Sequence, residues 1–112
     1  MSAKGDKATE IGLNNSLHSV LAKNEHNECL GMGRLVGDGG TACQVVDIYV
    51  LSAWQDKGIG KLIMQDIMNF IENELSETCY ISLIADGEAS KLYEKFGFKN
   101  TLPESRGMFL KR

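Results

Sequence analysis

The residues best suited to chemistry lie in one short run, Gln55-Asp56-Lys57-Gly58-Ile59-Gly60-Lys61. Two glycines separated by one residue let the backbone turn tightly, with no Cβ to obstruct an approaching anion. If a helix starts at this turn, its first N–H groups lack intrahelical partners and suit a phosphate or pyrophosphate. Lys57 and Lys61 add full positive charge beside them. The implied chemistry is capture of a phosphorylated ligand by main-chain groups; a plain connecting turn is the alternative. The run is not a dinucleotide fingerprint, because Ile63 stands where G-x-G-x-x-G requires glycine. It is not a P-loop either, lacking the earlier glycine and the Ser/Thr after the lysine.

Cys29, Cys43 and Cys79 are odd in number and widely spaced, with no C-x-x-C pair and neither His18 nor His26 near any of them. They read as buried, reduced thiols, with a zinc site or a catalytic cysteine as alternatives. No metal is expected. The 112 residues suit a single domain spanning 1–112. Net charge is −3, which argues against a dedicated nucleic-acid binder and is compatible with a cationic acceptor such as an amine. The apolar runs are strand-sized, so no membrane span is expected. The polar N-terminus lacks the apolar core of a secretory leader, and a cytoplasmic location is the expectation.

The elements that must position this run follow from periodicity. Gln44–Leu51 is rich in β-branched and aromatic residues, as a buried strand should be. After it comes the connector Ser52-Ala53-Trp54, then the glycine turn. Ile59, Ile63, Ile67, Ile71 and Leu75 recur every fourth residue, and Leu62, Phe70 and Met68 widen the stripe, which specifies an amphipathic helix. Upstream, Ala8–Ile11 reads as the tail of a helix stopped by Gly12. Ser16–Lys23 and Cys29–Val36 read as strands, the second containing Gly31 and Gly33, which mark a bulge or a close approach. Gly37-Asp38-Gly39-Gly40 is a hairpin turn leading into the central strand. Downstream, Cys79–Ala85 is a second buried strand, parallel to the central one across the helix. A short helix over Glu88–Phe96, with Gly97 as its C-terminal cap, and two closing strands at Phe98–Asn100 and Gly107–Lys111 complete the chain. The fold class is α/β: a mixed sheet, with an antiparallel meander joined to one parallel strand pair.

Strand, then Q-x-x-G-x-G, then amphipathic helix resembles the GNAT superfamily, the Gcn5-related N-acetyltransferases. Leu92-Tyr93-Glu94-Lys95-Phe96-Gly97-Phe98 matches a second family pattern, L-Y-x-x-x-G-F, and the likeness runs from about Ser16 to the C-terminus. The resemblance implies a GNAT-like acyl-CoA N-acyltransferase fold with acetyl-CoA as cosubstrate. It assigns the pyrophosphate to Gln55, Asp56, Lys57, Gly58, Ile59 and Gly60, with Lys61 as a charge partner. It assigns the pantetheine arm to the free backbone groups of Ile48, Tyr49 and Val50, which it would join as an added strand. Tyr93 falls on the tyrosine that protonates the leaving CoA thiolate in many members; anchoring its helix to the core is the alternative. Asp86 falls where members carry a cofactor-contacting Asn, and a helix-capping role is the alternative. The positions of the family's glutamate bases hold Gln44 and Ile81. Asp47 is the one carboxylate within the central strand, expected on the face opposite Ile48 and Val50 and at least as consistent with a structural role. Tyr49 and Trp54 are expected to fill the core, with lining of the acceptor pocket as the alternative.

The resemblance also implies an N-terminal strand and helix that this sequence lacks, so the domain is expected to be N-terminally shortened. An uncovered sheet edge invites a partner chain, and a homodimer is expected. The function implied is transfer of an acetyl group from acetyl-CoA to a primary amine, on a small molecule or a peptide, by direct attack in a ternary complex. A non-catalytic acyl-CoA-binding or regulatory module of the same fold is the alternative, and a purely structural interaction domain is a third.

Overall fold

The computed structural model describes residues 5–112; residues 1–4 of the polar N-terminal stretch lie outside the described residues. The chain forms α1 (Asp6–Asn14), β1 (His18–Lys23), β2 (Cys29–Gly37), β3 (Ala42–Val50), α2 (Ile59–Glu74), β4 (Tyr80–Ser82) and α3 (Ser90–Glu94), with 3-10 turns at Ser52–Trp54 and Gly87–Ala89. The sheet order is β1-β2-β3-β4. β1, β2 and β3 are antiparallel, and β4 lies parallel to β3, as a strand–helix–strand crossover requires. The mixed α/β sheet with one parallel pair is thus present.

The core lies between the sheet and α2. Ile63, Met64 and Ile67 of the helix are buried against Leu35 of β2 and Cys43 and Val45 of β3. Ile59, Phe70, Ile71 and Leu75 flank them, whereas Leu62 faces solvent and Met64 takes the place expected for it. Gly33 permits this packing: a Cβ there would stand 2.6 Å from Ile48 Cδ1 and 2.7 Å from Ile63 Cγ2. At the other end of the helix, His18 stacks on Phe70 at 4.6 Å and donates from Nε2 to the Asp66 carboxylate, tying β1 to α2.

β3 is not a regular strand. Arg34 pairs with Val46 and Met32 with Tyr49, so Asp47 and Ile48 together face the single residue Gly33. This is a β-bulge, and Asp47 takes the left-handed conformation at φ +55 that an aspartate tolerates better than most residues. The bulge resolves a conflict. Strict alternation from Cys43 and Val45 would turn the carboxylate into the apolar α2 interface. Instead the Asp47 carboxylate meets Arg34 on the opposite face. Nε and Nη2 of the guanidinium donate to one carboxylate oxygen at 3.0 and 2.7 Å.

Several expected boundaries differ. Gly12 does not stop α1, which continues to Asn14. The lack of a side chain there admits Arg34, whose Nη1 donates to the Gly12 carbonyl at 2.8 Å and to Ser16 Oγ at 2.9 Å. The strand expected over Cys79–Ala85 is paired only at Tyr80–Ser82, because β3 offers it a ladder only from Ala42 to Gln44. The short helix begins as a 3-10 turn and becomes α-helical only at Ser90. Gly97 follows it at φ +92. Neither closing strand forms: 98–100 and 107–111 are in no regular element, and among the described residues no strand pairs with the outer edge of β4. Cys43 and Cys79 are buried thiols with sulfurs 3.5 Å apart, but Cys29 is exposed at the start of β2. Burial pushes the Cys79 thiol up, as does its contact with Cys43, which suits an inert core residue.

Gly33→Ala should destabilise the protein by about 1–3 kcal/mol through overpacking. Gly40→Ala, on the open hairpin, should stay within about 0.5 kcal/mol of the parent. Urea unfolding of the two variants checks this; equal midpoints would show that β2 and α2 have room to spare.

Candidate active site

β3 is paired with β2 along its length, but its β4-facing edge is paired only as far as Gln44. From Val45 to Val50 that edge meets no strand among the described residues. β4 likewise loses its partner after Ser82, and Leu83–Ala85 run on unpaired. The two strands therefore diverge toward their C-terminal ends and leave an open wedge. Its β3 wall carries Ile48, Tyr49 and Val50; the Val50 carbonyl already accepts from Gln55 Nε2, and the edge groups left without a partner in such a wedge can accept an extended ligand as an extra strand.

The wedge opens at the glycine turn. Asp56 and Gly58 both take left-handed conformations, at φ +63 and +85. Only glycine enters the second without strain, and a Cβ there would meet nothing within 4 Å, so conformation rather than space selects glycine. Gly58 is the N-cap of α2, and no side chain caps the helix. The Leu62 N–H is the first to bond within it, to the Gly58 carbonyl at 3.1 Å. The N–H groups of Ile59, Gly60 and Lys61 precede that bond and point out of the helix end. The first turn carries no acidic residue. Lys57 and Lys61 are exposed there, and positive charge at the positive end of a helix is unfavourable unless an anion lies between. Gln55 braces the turn by donating from Nε2 to the Val50 carbonyl at 3.0 Å.

α3 approaches the same helix end. Leu92 Cδ2 would lie 3.4 Å from a Cβ at Gly60. Its neighbour Tyr93 is buried in the core cluster and meets Phe98 edge to face at 6.3 Å. Among the described residues its hydroxyl makes no hydrogen bond, yet the atom is not sealed from solvent. Burial, assisted by the negative charge of Asp86, pushes the Tyr93 phenol up from its ordinary value. The group stays protonated at neutral pH and can donate.

The structure thus brings the turn, the open edge at 48–50 and Tyr93 to one end of α2. Asp86 lies close enough to bias Tyr93, but its side chain caps nothing, and only its carbonyl accepts, from Ala89 N–H. Tyr49 and Trp54 are exposed rather than core residues. Tyr49 lies on the sheet face away from α2, and the connector turns Trp54 outward. Asp47 is committed to Arg34, both side chains being mostly buried. The strand pattern alone did not reveal this pairing, although a lone arginine inside a glycine-rich strand was a signal that it needed an acid. Among the described residues, no three His, Cys, Asp or Glu side chains converge to hold a metal ion. No helix there is long and apolar enough to cross a membrane.

The acetyltransferase (GNAT) domain family profile matches residues 4–109. The chain belongs to the GNAT acetyltransferase family. A crystal structure from meticillin-resistant Staphylococcus aureus, described as a probable acetyltransferase of unknown function, is 49% identical. It superposes at a TM-score of 0.93 over 100% of this chain and 84% of its own. An uncharacterized N-acetyltransferase, ycf52, of Pyropia yezoensis is 24% identical over 92% of this chain and 60% of its own length. The histone acetyltransferase TAP1 of Glycine max is 26% identical over 84% of this chain and 42% of its own. The chain therefore spans roughly 40 to 60% of these curated relatives.

The site's electrostatics predict a titration. Of the three tyrosines, one should ionise above the ordinary value near 10, and Tyr93→Phe should abolish that step in an ultraviolet titration. Because the folded protein holds this proton longer than the unfolded chain, stability should fall as pH rises past about 10. An unchanged profile in the variant would remove Tyr93 as the perturbed group.

Proposed function

We propose that this GNAT domain is an acetyl-CoA-dependent N-acetyltransferase acting on a primary amine. The observation that carries the proposal is the uncapped, lysine-flanked N-terminus of α2 standing where β3 and β4 part. In this reading the pyrophosphate lies on main-chain groups of residues 55–60, with Lys61 as a charge partner. The pantetheine arm runs along Ile48, Tyr49 and Val50 and delivers the thioester toward Tyr93, and Asp86 lies beside the arm. The amine nitrogen attacks the thioester carbonyl carbon, forming the C–N bond. The C–S bond breaks, and the thiolate takes the Tyr93 proton. The phenolate is then reprotonated by water, and the new ammonium group releases its proton to solvent.

The raised phenol supports this role, since a neutral donor near developing negative charge is what the step needs. The base is a different matter. Gln44 and Ile81 cannot accept a proton, and the Asp47 carboxylate is held by Arg34. The amine is therefore taken to arrive neutral or to lose its proton through water. That same feature favours the second reading, a module that binds acyl-CoA without turnover. Cytoplasmic location and a small-molecule or peptide acceptor are part of the proposal.

Calorimetric titration with acetyl-CoA tests the cofactor reading. Gly58→Glu and Gly60→Glu place a carboxylate against the pyrophosphate and should weaken binding by about 100-fold or more, with circular dichroism confirming folded protein. Unchanged affinity would remove the turn from the site. With a panel of primary amines, thiol release should fall by about 10²-fold or more in Tyr93→Phe while acetyl-CoA affinity holds. Tight binding with no turnover on any amine would select the second reading.

A further inference from the structure

α2 closes one face of the wedge, where Ile48 and Val50 pack against the core, and the opposite face is left open. That open face is apolar. Tyr49 of β3 and Leu51 just after it are each 40% exposed, and Trp54 of the connector is 37% exposed beyond them. Along the β4 line Ile81, Leu83 and Ala85 pack against the core, so alternation turns Ser82, Ile84 and Asp86 to the open face. Ile84 is 61% exposed there. The apolar surface continues across the sheet, because Tyr49 pairs with Met32 and Met32 with Leu21, which is 54% exposed. Three strands at their ordinary spacing make this row about 10 Å long. Arg34, two residues along from Met32, holds the end of α1 through Gly12 and Ser16 and so sets the rim on that side.

Negative charge on this face is sparse. Asp47 is held by Arg34. The 24–28 turn stands at the same end of the sheet, since the Leu51 N–H bonds to the Leu30 carbonyl. Its carboxylates are engaged locally: Glu28 accepts from Asn24, and Glu25 lies 3.8 Å from His26 Nε2. Among the described residues Asp86 is the one carboxylate on the two walls without such a partner. Lys23, Lys57 and Lys61 are exposed around the same end.

We propose that the acceptor is an aralkyl monoamine, its apolar body lying over Tyr49, Leu51 and Trp54 and its nitrogen directed into the wedge. The inference rests on the acetyltransferase reading and names the substrate class of that site. An apolar surface with few polar groups recognises an apolar body, and the row from Tyr49 to Leu21 is long enough to carry one. A polyamine or an amino-sugar would bring several cations to a face with one free carboxylate and three lysines about it. The same surface answers the lack of a base. Removing an ammonium group from water onto apolar side chains disfavours its charged form. The proton then leaves to water, and the neutral nitrogen reaches the thioester carbon for the bond exchange described above.

Thiol release from acetyl-CoA by the full chain tests this with three amines: 2-phenylethylamine, ethylamine and spermidine. Turnover per unit KM should favour 2-phenylethylamine over each of the others by about 10-fold or more. Trp54→Ala should cut the preference over ethylamine by roughly 5-fold, and Leu51→Asp should remove it; both side chains are exposed, so circular dichroism should be unchanged. Equal rates with ethylamine, or a preference for spermidine, in protein that binds acetyl-CoA would overturn this inference alone. Protein that does not bind acetyl-CoA would overturn the acetyltransferase reading and this inference with it. Trp54 is the only tryptophan of the chain, and its fluorescence reports binding without turnover. A saturable change is expected when 2-phenylethylamine, but not ethylamine, is added to the protein with coenzyme A; no change would overturn the inference even where no amine is acetylated.

Discussion

The Arg34–Asp47 pair holds the sheet in the form that the rest of the structure needs. Asp47 lies in the middle of the central strand, where alternation would direct it into the α2 interface. The pair draws it to the other face and fixes the bulge opposite Gly33. Ile48 and Val50 then face α2, and β3 enters the turn with the helix already seated on it. The same guanidinium reaches the Gly12 carbonyl and Ser16, so one cation also anchors α1. With both side chains mostly buried, loss of either partner leaves a desolvated charge, at a cost on the order of 3 kcal/mol.

A second constraint follows from the first. β3 continues straight into the turn, while β4 pairs with only its first three residues. The unpaired stretch would be a liability in a sheet interior, since buried main-chain groups require partners. Here it opens onto the helix end whose N–H groups are also without partners. In the proposed reading, the helix-end N–H groups and the strand-edge groups that Gln55 leaves free, converging with two lysines and a protonated phenol, would be completed by an extended anionic ligand. That convergence gives the family membership a physical reading in this chain.

Features governed by local pattern were legible in the sequence. The four-residue stripe gave α2, the Gly-Asp-Gly-Gly run gave the β2–β3 hairpin, and the paired glycines gave the turn. Features that depend on distant residues were not. Gly12 reads as a helix stop because the arginine that uses its open space lies 22 positions away. Leu62 joins the stripe by its spacing from Ile59, yet it stands about 100° around the helix from the buried Ile63 and so faces solvent. Tyr49 and Trp54 read as core because aromatic residues near a central strand usually are, but the bulge and the connector turn them outward. The closing strands carry the right pattern and fail to form because a strand needs a neighbour. Of the candidate site, the turn and Tyr93 were visible as motifs; the commitment of Asp47 to Arg34 required the bulge.

The central claim is that the wedge between β3 and β4, ending at the α2 N-terminus, is a coenzyme A site. The most direct test is an amide-resolved nuclear magnetic resonance titration of the full chain with coenzyme A. The account predicts that the largest shifts fall on residues 48–51, 55–61 and 86–93, with β1 and the 37–40 hairpin unmoved. Shifts concentrated along the outer edge of β4, or none at saturating ligand, would contradict it.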